Sequence, residues 1–250
     1  MIIYDGPSQL PGDGGTPIIA VLTGLNGRST NGKTGNMLQT WILLRDVNPS
    51  AALDGDDEAI CGDCIHRRRN GRRTCYVNVG HAPRSVWAAY QRGRYETVDP
   101  DHAGLLATGR KVRVGSYGDP AAVPSSVWRS LIANAAGHTG YTHQWRDCAD
   151  ISDICMASCE TEEDVLDAWA LGYRTFRVME PHQEAMEGEL VCPASEEMGK
   201  LTTCERCGLC AGAMRHKPNV IRGIAIYAHG SSKKYYSVGT PNGERQFAGH

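Results

Sequence analysis

Ten cysteines are the residues of this chain best suited to chemistry, and their spacing is more informative than their number. The segment CPASEEMGKLTTCERCGLCAG has the pattern C-x11-C-x2-C-x2-C, formed by Cys192, Cys204, Cys207 and Cys210. Two consecutive C-x2-C steps let one tight loop direct three thiolates at a cuboidal iron–sulfur cluster, and a distant cysteine supplies the fourth ligand. Zinc sites more often pair C-x2-C units across a longer spacer. The pattern favours a 4Fe-4S cluster, with zinc or free thiols as alternatives.

A second group, in CGDCIHRRRNGRRTCYVN, places Cys61, Cys64 and Cys75 as C-x2-C-x10-C, with His66 and His81 nearby. Three thiolates without a fourth could bind zinc together with a histidine. They could also hold an iron–sulfur cluster with one iron open to a small ligand, which is the arrangement that chemistry at a metal requires. The third reading is reduced thiols in a basic loop, although neighbouring arginines lower thiol pKa values and favour metal binding.

The three remaining cysteines lie in DCADISDICMASC and are spaced seven and four residues apart. Cys155 and Cys159 are flanked by apolar residues, which is more typical of core thiols than of metal ligands.

A match to the phosphate-binding pattern G-x4-G-K-T occurs between Gly27 and Thr34. Such a loop needs a helix beginning at the lysine, here Lys33, because the helix N-terminus helps to hold the phosphates. The residues that follow, MLQTWILL, instead have the composition of a strand. A turn between two strands is therefore the preferred interpretation, and a P-loop nucleotide hydrolase is a lesser alternative.

Bulk composition narrows the function classes. The chain has 250 residues and a formal net charge of −2, so its overall charge does not favour nucleic acid, although Arg67 to Arg73 form a local basic run that could contact it. No stretch approaches the roughly 20 apolar residues that span a membrane. The N-terminus lacks a signal-peptide pattern, which predicts a cytoplasmic location, where clustered cysteines bind metals more often than they form disulfides.

Short apolar runs alternate with helical patterns from about residue 111 onward. KVRVGSYGD, TGYTHQWR, DICMASC, RTFRVME, GELVCPAS and RGIAIYAHG are predicted strands, while PSSVWRSLIANAAG and TEEDVLDAWALGY are predicted helices, the second with Thr161 as its N-cap. This βαβ rhythm predicts an α/β fold, in which a mostly parallel sheet forms a (β/α) barrel or partial barrel with cysteine-bearing loops. We expect residues 1–230 to form one domain and residues 231–250 a polar C-terminal extension.

In parallel sheets the functional loops follow the carboxyl ends of the strands. GSYGDP and YTHQWR stand at two such ends, which makes His143 a candidate catalytic residue, although a hydrogen-bonded core histidine is an equal interpretation. The arginines near these strands, Arg113, Arg174 and Arg177, are consistent with ordinary surface charges.

Five motifs together resemble an uncharacterised family of small proteins encoded by bacteriophages and some bacteria: KTGNMLQTWIL, ICGDC with CYVNVGHAP, RVGSYGDPAAVP, TGYTHQWR and CPASEE with TTCERCGLC. The layout is also distantly similar to that of radical S-adenosylmethionine enzymes. In that family a three-cysteine 4Fe-4S cluster and a glycine-rich turn lie at the top of a partial barrel. This resemblance implies that Cys61, Cys64 and Cys75 hold the open cluster.

By the same resemblance, Gly118 and Asp119 lie near the cofactor amine, and Asp119 joins His143 as a candidate catalytic residue. Radical enzymes use C-x3-C-x2-C, whereas the spacing here is C-x2-C-x10-C, so S-adenosylmethionine is a secondary cofactor candidate. The leading hypothesis is a phage-encoded protein of the host cytoplasm with one or two 4Fe-4S clusters, acting on a small molecule or nucleotide. The alternative is a zinc-stabilised module that binds nucleic acid through Arg67 to Arg73.

Overall fold

A nine-stranded sheet organises the protein. The computed structural model describes residues 1–11, 14–27, 32–68, 72–213, 221–229 and 236. The strands are β1 (Ile2–Pro7), β2 (Pro17–Thr23), β3 (Leu38–Leu44), β4 (Lys111–Tyr117), β5 (Gly137–Thr142), β6 (Met156–Cys159), β7 (Thr175–Met179), β8 (Glu189–Val191) and β9 (Gly223–Tyr227). Each predicted strand after residue 110 is present.

The sheet order is β1-β2-β3-β4-β5-β6-β7-β9-β8. The first three strands pair antiparallel, and every pairing from β3 onward is parallel. The prediction of an α/β fold with a mostly parallel sheet is confirmed. The order has two ends, β1 and β8, so the strands do not close into a barrel.

Seven helices accompany the sheet in the described part of the chain: α1 (Pro49–Ala52), α2 (Glu58–Cys61), α3 (Ala82–Gln91), α4 (Pro100–Leu106), α5 (Ser125–Ile132), α6 (Glu162–Ala170) and α7 (Cys204–Cys207). α6 begins as predicted, because the Thr161 hydroxyl accepts from the Asp164 N–H and the Asp164 carboxylate accepts from the Thr161 N–H, both at 3.0 Å. This capping box satisfies two amide groups that a helix start leaves unpaired. It also fixes the chain directly after Glu160. None of the described helices is long and apolar enough to span a membrane.

The core lies along β2, β3 and the central parallel strands, where the apolar side chains are fully buried. A smaller apolar cluster surrounds Cys192 and Cys210 and includes Met156, Ile224 and Ile226. Residues 231–250 lie outside the described chain except Tyr236, whose hydroxyl donates to the Val178 carbonyl at 2.8 Å. The division at residue 230 therefore stays a prediction.

The phosphate-loop match leads into a strand. Residues 28–31 lie outside the described chain, and residues 32–34 form a turn from which the chain enters β3. The helix that a P-loop requires after Lys33 is therefore absent from this described stretch, as the sequence pattern predicted.

Candidate functional site

Cys61, Cys64 and Cys75, which we call the three-thiolate group, lie at the carboxyl edge of the parallel strands. α2 ends at Cys61, and the Asp119 N–H, just after β4, donates to the carbonyl of Ile60 at 2.6 Å. His143 follows β5 and Glu160 follows β6. Because parallel strands end at the same edge, residues far apart in sequence meet there.

Asp119 joins these elements through its carboxylate. It accepts from the Thr142 hydroxyl at 2.7 Å, from the His143 N–H at 2.7 Å and from the Ala121 N–H at 3.0 Å. Burial raises the pKa of Asp119, while His143 and these donors act in the opposite direction. Three internal bonds indicate that Asp119 positions the ends of β4 and β5, and its candidate catalytic role stays a prediction.

The neighbouring Gly118 has a φ of +79°, and an added Cβ would lie 2.6 Å from Cβ of Ile42. Glycine is therefore required for backbone conformation and for close packing of β4 on β3. This accounts for the glycine without a cofactor, so the cofactor-binding role that the resemblance implies for Gly118 and Asp119 also stays a prediction.

The Cys61–Cys64 loop is held by the residue after His143. Nε2 of Gln144 donates to the Cys61 carbonyl at 3.3 Å and to Oδ1 of Asp63 at 2.9 Å. A Cβ on Gly62 would lie 2.5 Å from Oε1 of Gln144, so the Gln144 amide occupies the space that a side chain at residue 62 would need. The glycine in CGDC thus allows the loop to dock on the strand edge.

The basic run mainly holds its own loop. Arg67 contacts Asp57 at 2.8 Å, Glu58 at 3.2 Å and the carbonyls of Gly55 and Gly62. Arg73 donates to the carbonyls of Cys75 and Val77. These internal contacts leave less of the run available to nucleic acid; residues 69–71 lie outside the described chain.

The three thiols of this group are close enough to affect one another's ionisation. Burial raises the pKa of Cys61 well above its usual value, and the nearby Cys64 and Cys75 raise it further. Burial also raises the pKa of Cys75. A bound cation would reverse this effect, because it stabilises the thiolate form. His81, the second histidine noted near these cysteines, is exposed at the start of α3.

Two histidines converge on one carboxylate beside these thiols. Nε2 of His143 lies 3.2 Å and Nε2 of His66 lies 3.4 Å from Oε1 of Glu160. Burial lowers the pKa of His143, but the adjacent Cys64 and Glu160 outweigh it and hold the pKa well above its usual value. Burial would raise the pKa of Glu160, and the two histidines lower it strongly. Sequence reasoning missed Glu160, whose one signal is its place directly after the strand DICMASC.

The four-thiolate group encloses a second site. Cys192, Cys204, Cys207 and Cys210 line one small pocket together with apolar neighbours that include Leu209 and Ile224. Burial raises the pKa of Cys210 to about 12, partly offset by a hydrogen bond from Tyr141, and the other three thiols add to the rise. The four cysteines that the sequence grouped are therefore brought together by the fold.

The turn at residues 32–36 positions α7 and its cysteines. The N–H groups of Cys204 and Glu205 donate to the carbonyls of Lys33 and Thr34 at 2.8 and 3.1 Å, and the Asn36 N–H donates to Oε2 of Glu205 at 2.8 Å. The segment that resembles a phosphate-binding loop thus supports a cysteine-bearing helix.

Two of the three arginines that were predicted to be ordinary surface charges, Arg174 and Arg177, are buried, so that prediction was wrong for them. Arg174 is buried and donates to the carbonyls of Leu209 and Ala211 at 2.7 Å, which holds the loop on both sides of Cys210. Arg177 is fully buried and pairs with Glu189 at 2.7 Å. Arginine in an alternating strand can face inward when its guanidinium finds enough acceptors.

Arg113 connects the surroundings of the two groups. Its guanidinium donates to the hydroxyl of Tyr76, which follows Cys75, and lies 5.9 Å from the ring centre of Tyr141. The thiols of Cys204 and Cys210 are near enough to raise its pKa, although burial lowers it. Arg113 therefore contacts the residue after Cys75 and lies near the thiols of Cys204 and Cys210.

Ligand separation distinguishes the candidate metal centres. Among the described residues, the one set of at least three His, Cys, Asp or Glu side chains whose ligand atoms all lie within 4.8 Å is His66, His143 and Glu160. A single zinc ion with Zn–S bonds of about 2.3 Å holds sulfurs about 3.8 Å apart. A cuboidal cluster spreads its thiolates further, because each binds a different iron. No three cysteine sulfurs among the described residues all lie within 4.8 Å of one another.

The other cysteines lie apart from these sites. Cys155 and Cys159 are fully buried in the main core, which confirms the prediction of core thiols, and Cys148 is half-buried. Comparison of the chain with protein-family models, curated proteins and solved structures finds no significant match.

Proposed function

We propose that this chain is an iron–sulfur protein whose principal cluster is a 4Fe-4S centre held by the four-thiolate group. The observation that carries the proposal is the convergence of Cys192, Cys204, Cys207 and Cys210 on one pocket. The largely apolar lining limits water around the pocket, and Tyr141 donates to a ligand sulfur. Both features are typical of groups that tune a cluster's potential.

A second cluster, in the three-thiolate group, would be the reactive one. Cys61, Cys64 and Cys75 provide three ligands at the edge where functional loops gather. A bound cluster supplies electron transfer and, at an iron without a protein ligand, a position for a small molecule or nucleotide. His143 is 22 % exposed and borders this position, so it can contact what binds there. A cluster with such an open position would make the protein an iron–sulfur-dependent enzyme.

The resemblance to radical S-adenosylmethionine enzymes and to the phage family adds more specific expectations about fold, cofactor and location to the proposal. It implies that the parallel region forms a partial barrel and that Gly118 and Asp119 lie beside a cofactor. It also locates the protein in the cytoplasm of a host cell, where thiols stay reduced and available to iron. The cysteine spacing argues against S-adenosylmethionine, so the proposal does not depend on it.

The two alternatives receive less support. A zinc-stabilised nucleic-acid module would need a basic surface, and the guanidinium groups of Arg67 and Arg73 are engaged within the protein. A P-loop hydrolase would need Lys33 at a helix start, and the turn that contains Lys33 leads into a strand. The P-loop alternative also leaves the convergence of the two sets of cysteines unexplained.

The test is iron and acid-labile sulfide analysis, with a visible spectrum, on protein purified without oxygen. One cluster predicts about four iron and four sulfide per chain, and two clusters predict about eight. Cys204→Ser should remove the iron of the principal cluster. Cys148→Ser is the matched control, because Cys148 is half-buried and outside both groups.

Zinc without sulfide in folded protein would overturn the proposal and return the zinc-stabilised module to first place. Equal loss of iron in Cys204→Ser and Cys148→Ser would show that the loss reflects folding and not ligation. Iron that survives Cys204→Ser but disappears in Cys61→Ser would move the cluster to the three-thiolate group alone.

A further inference from the structure

The convergence of His66, His143 and Glu160 has the geometry of a mononuclear metal site. For metal–ligand distances of about 2.1 Å, adjacent ligand atoms lie about 3.0 Å apart in octahedral and about 3.4 Å apart in tetrahedral coordination. The observed separations from Oε1 of Glu160 are 3.2 Å to His143 and 3.4 Å to His66. All three ligand atoms lie within 4.8 Å of one another.

Two of the three metal-ligand atoms are buried. Nε2 of His143 and Oε1 of Glu160 are buried and lie 3.2 Å apart, as an ion pair that lacks good hydrogen-bond geometry. Buried polar atoms gain from a partner of better geometry. A cation between the three groups would satisfy both atoms at once.

The surroundings orient the ligands as outer-shell groups do in metalloproteins. Nδ1 of His66 lies 2.8 Å from the Thr74 hydroxyl, which fixes the ring with Nε2 toward Glu160. The His66 ring stacks on Tyr236 with centres 5.7 Å apart. The capping box of α6 fixes the backbone next to Glu160 through Asp164. A hydrogen bond to the second ring nitrogen is the usual companion of a metal-bound histidine.

We propose that His66, His143 and Glu160 bind one divalent first-row transition metal, separate from the iron of any cysteine-bound cluster. Two imidazoles and a carboxylate form a ligand set that suits zinc or iron(II). Three protein ligands leave at least one position open, as in catalytic metal sites. Of the three side chains, that of His143 is the most exposed, at 22 %, against 12 % for His66 and 10 % for Glu160.

This site adds a Lewis acid beside the three-thiolate group. A metal-bound water or substrate oxygen at the open position would face the same edge of the sheet as Cys64, which contacts His143. His143 then serves as a ligand and not as a proton carrier. The proposal does not rest on the cluster, because none of its ligands is a cysteine.

The test is equilibrium dialysis of the anaerobically purified full chain against Zn²⁺, with zinc measured per chain and X-ray absorption at the zinc edge identifying the ligand elements. Glu160→Gln, which preserves shape, and His66→Ala should each weaken zinc binding by about a hundredfold. Thr74→Val should weaken it by about tenfold, the effect expected for an outer-shell partner. His182→Ala, at an exposed histidine away from the site, is the matched control and should change nothing.

The zinc that disappears in Glu160→Gln must have only nitrogen and oxygen ligands. The proposal is overturned if the full chain takes up no zinc, or if Glu160→Gln and His66→Ala bind zinc as well as the parent protein does. It is also overturned if the zinc that those variants lose has sulfur ligands. Circular dichroism and thermal melting establish that the variants are folded. Iron and sulfide measured in the same samples separate this result from the cluster proposal, because either site can be present without the other.

Discussion

At the scale of single residues, Asp119 illustrates how a buried carboxylate can organise a site without reacting in it. Its oxygens accept from Thr142, Ala121 and His143, and its N–H binds the carbonyl next to Cys61. The Asp119 side chain therefore links the ends of two strands. The backbone N–H of Asp119 links the same strand ends to the loop that carries Cys61. The energetic consequence is large because three donors depend on it in a buried environment.

Asp119→Ala should lower the free energy of unfolding by about 3 kcal/mol or more, since each buried donor left unsatisfied costs about 1–3 kcal/mol. Asp119→Asn should cost less, because the amide keeps one oxygen acceptor. Denaturant unfolding measures both.

Asp99→Ala is the control, because Asp99 is exposed and caps α4 through one bond to the Asp101 N–H. Its expected cost is about 1 kcal/mol. A loss in Asp119→Ala no greater than this would contradict the positioning role and leave the carboxylate available for catalysis.

At the scale of elements, short connections position the two cysteine groups. The loop after α2 docks on the residue after His143, and α7 docks on the turn before β3. Both contacts join segments distant in the sequence. Neither helix is longer than four residues, so tertiary contacts and not helix propensity hold them in place.

Gly62→Ala should therefore disturb the three-thiolate group. The new Cβ would displace the Gln144 amide and break its bonds to Cys61 and Asp63, in addition to the cost of a positive φ. We expect a loss of unfolding free energy about 1–2 kcal/mol larger than in the control, with lower iron retention.

Gly93→Ala is the control for positive φ alone, because Gly93 has a φ of +64° and no atom lies within 4 Å of the added Cβ, whereas Gly62 combines a φ of 56° with a ψ of −135°. It measures the backbone cost of a positive φ, about 1–2 kcal/mol. Equal losses in the two variants, with iron retained in both, would show that the docking of Gln144 is unimportant.

At the scale of the whole molecule, the two cysteine groups differ in the size of the apolar core that surrounds them. The three-thiolate group adjoins the main core, while Cys192 and Cys210 belong to the smaller apolar cluster near β9. A small core gives less stability than a large one. The segment around the four-thiolate group should therefore depend most on the proposed cluster.

Hydrogen exchange tests this difference. After iron is removed under reducing conditions, amides of residues 192–213 should exchange much faster, while those of β2 and β3 keep their protection. Ligand binding stabilises only the folded form, so loss of the ligand appears first where the protein core contributes least. Equal protection of residues 192–213 with and without iron would contradict the prediction.

The sequence by itself determined the strands after residue 110, the start of α6 and both cysteine groups. These features depend on local information: apolar periodicity, capping residues and the spacing of ligands within one loop. Even the strand after Lys33 followed from local composition, despite the match to a phosphate-binding pattern.

Only the tertiary structure decided that Glu160 meets His66 and His143, that Arg174 and Arg177 are buried, and that the sheet stays open. Each depends on contacts between segments far apart in the chain, which periodicity does not encode. Glu160 has no motif of its own; it becomes a candidate ligand because parallel strands end at one edge and bring their following residues together.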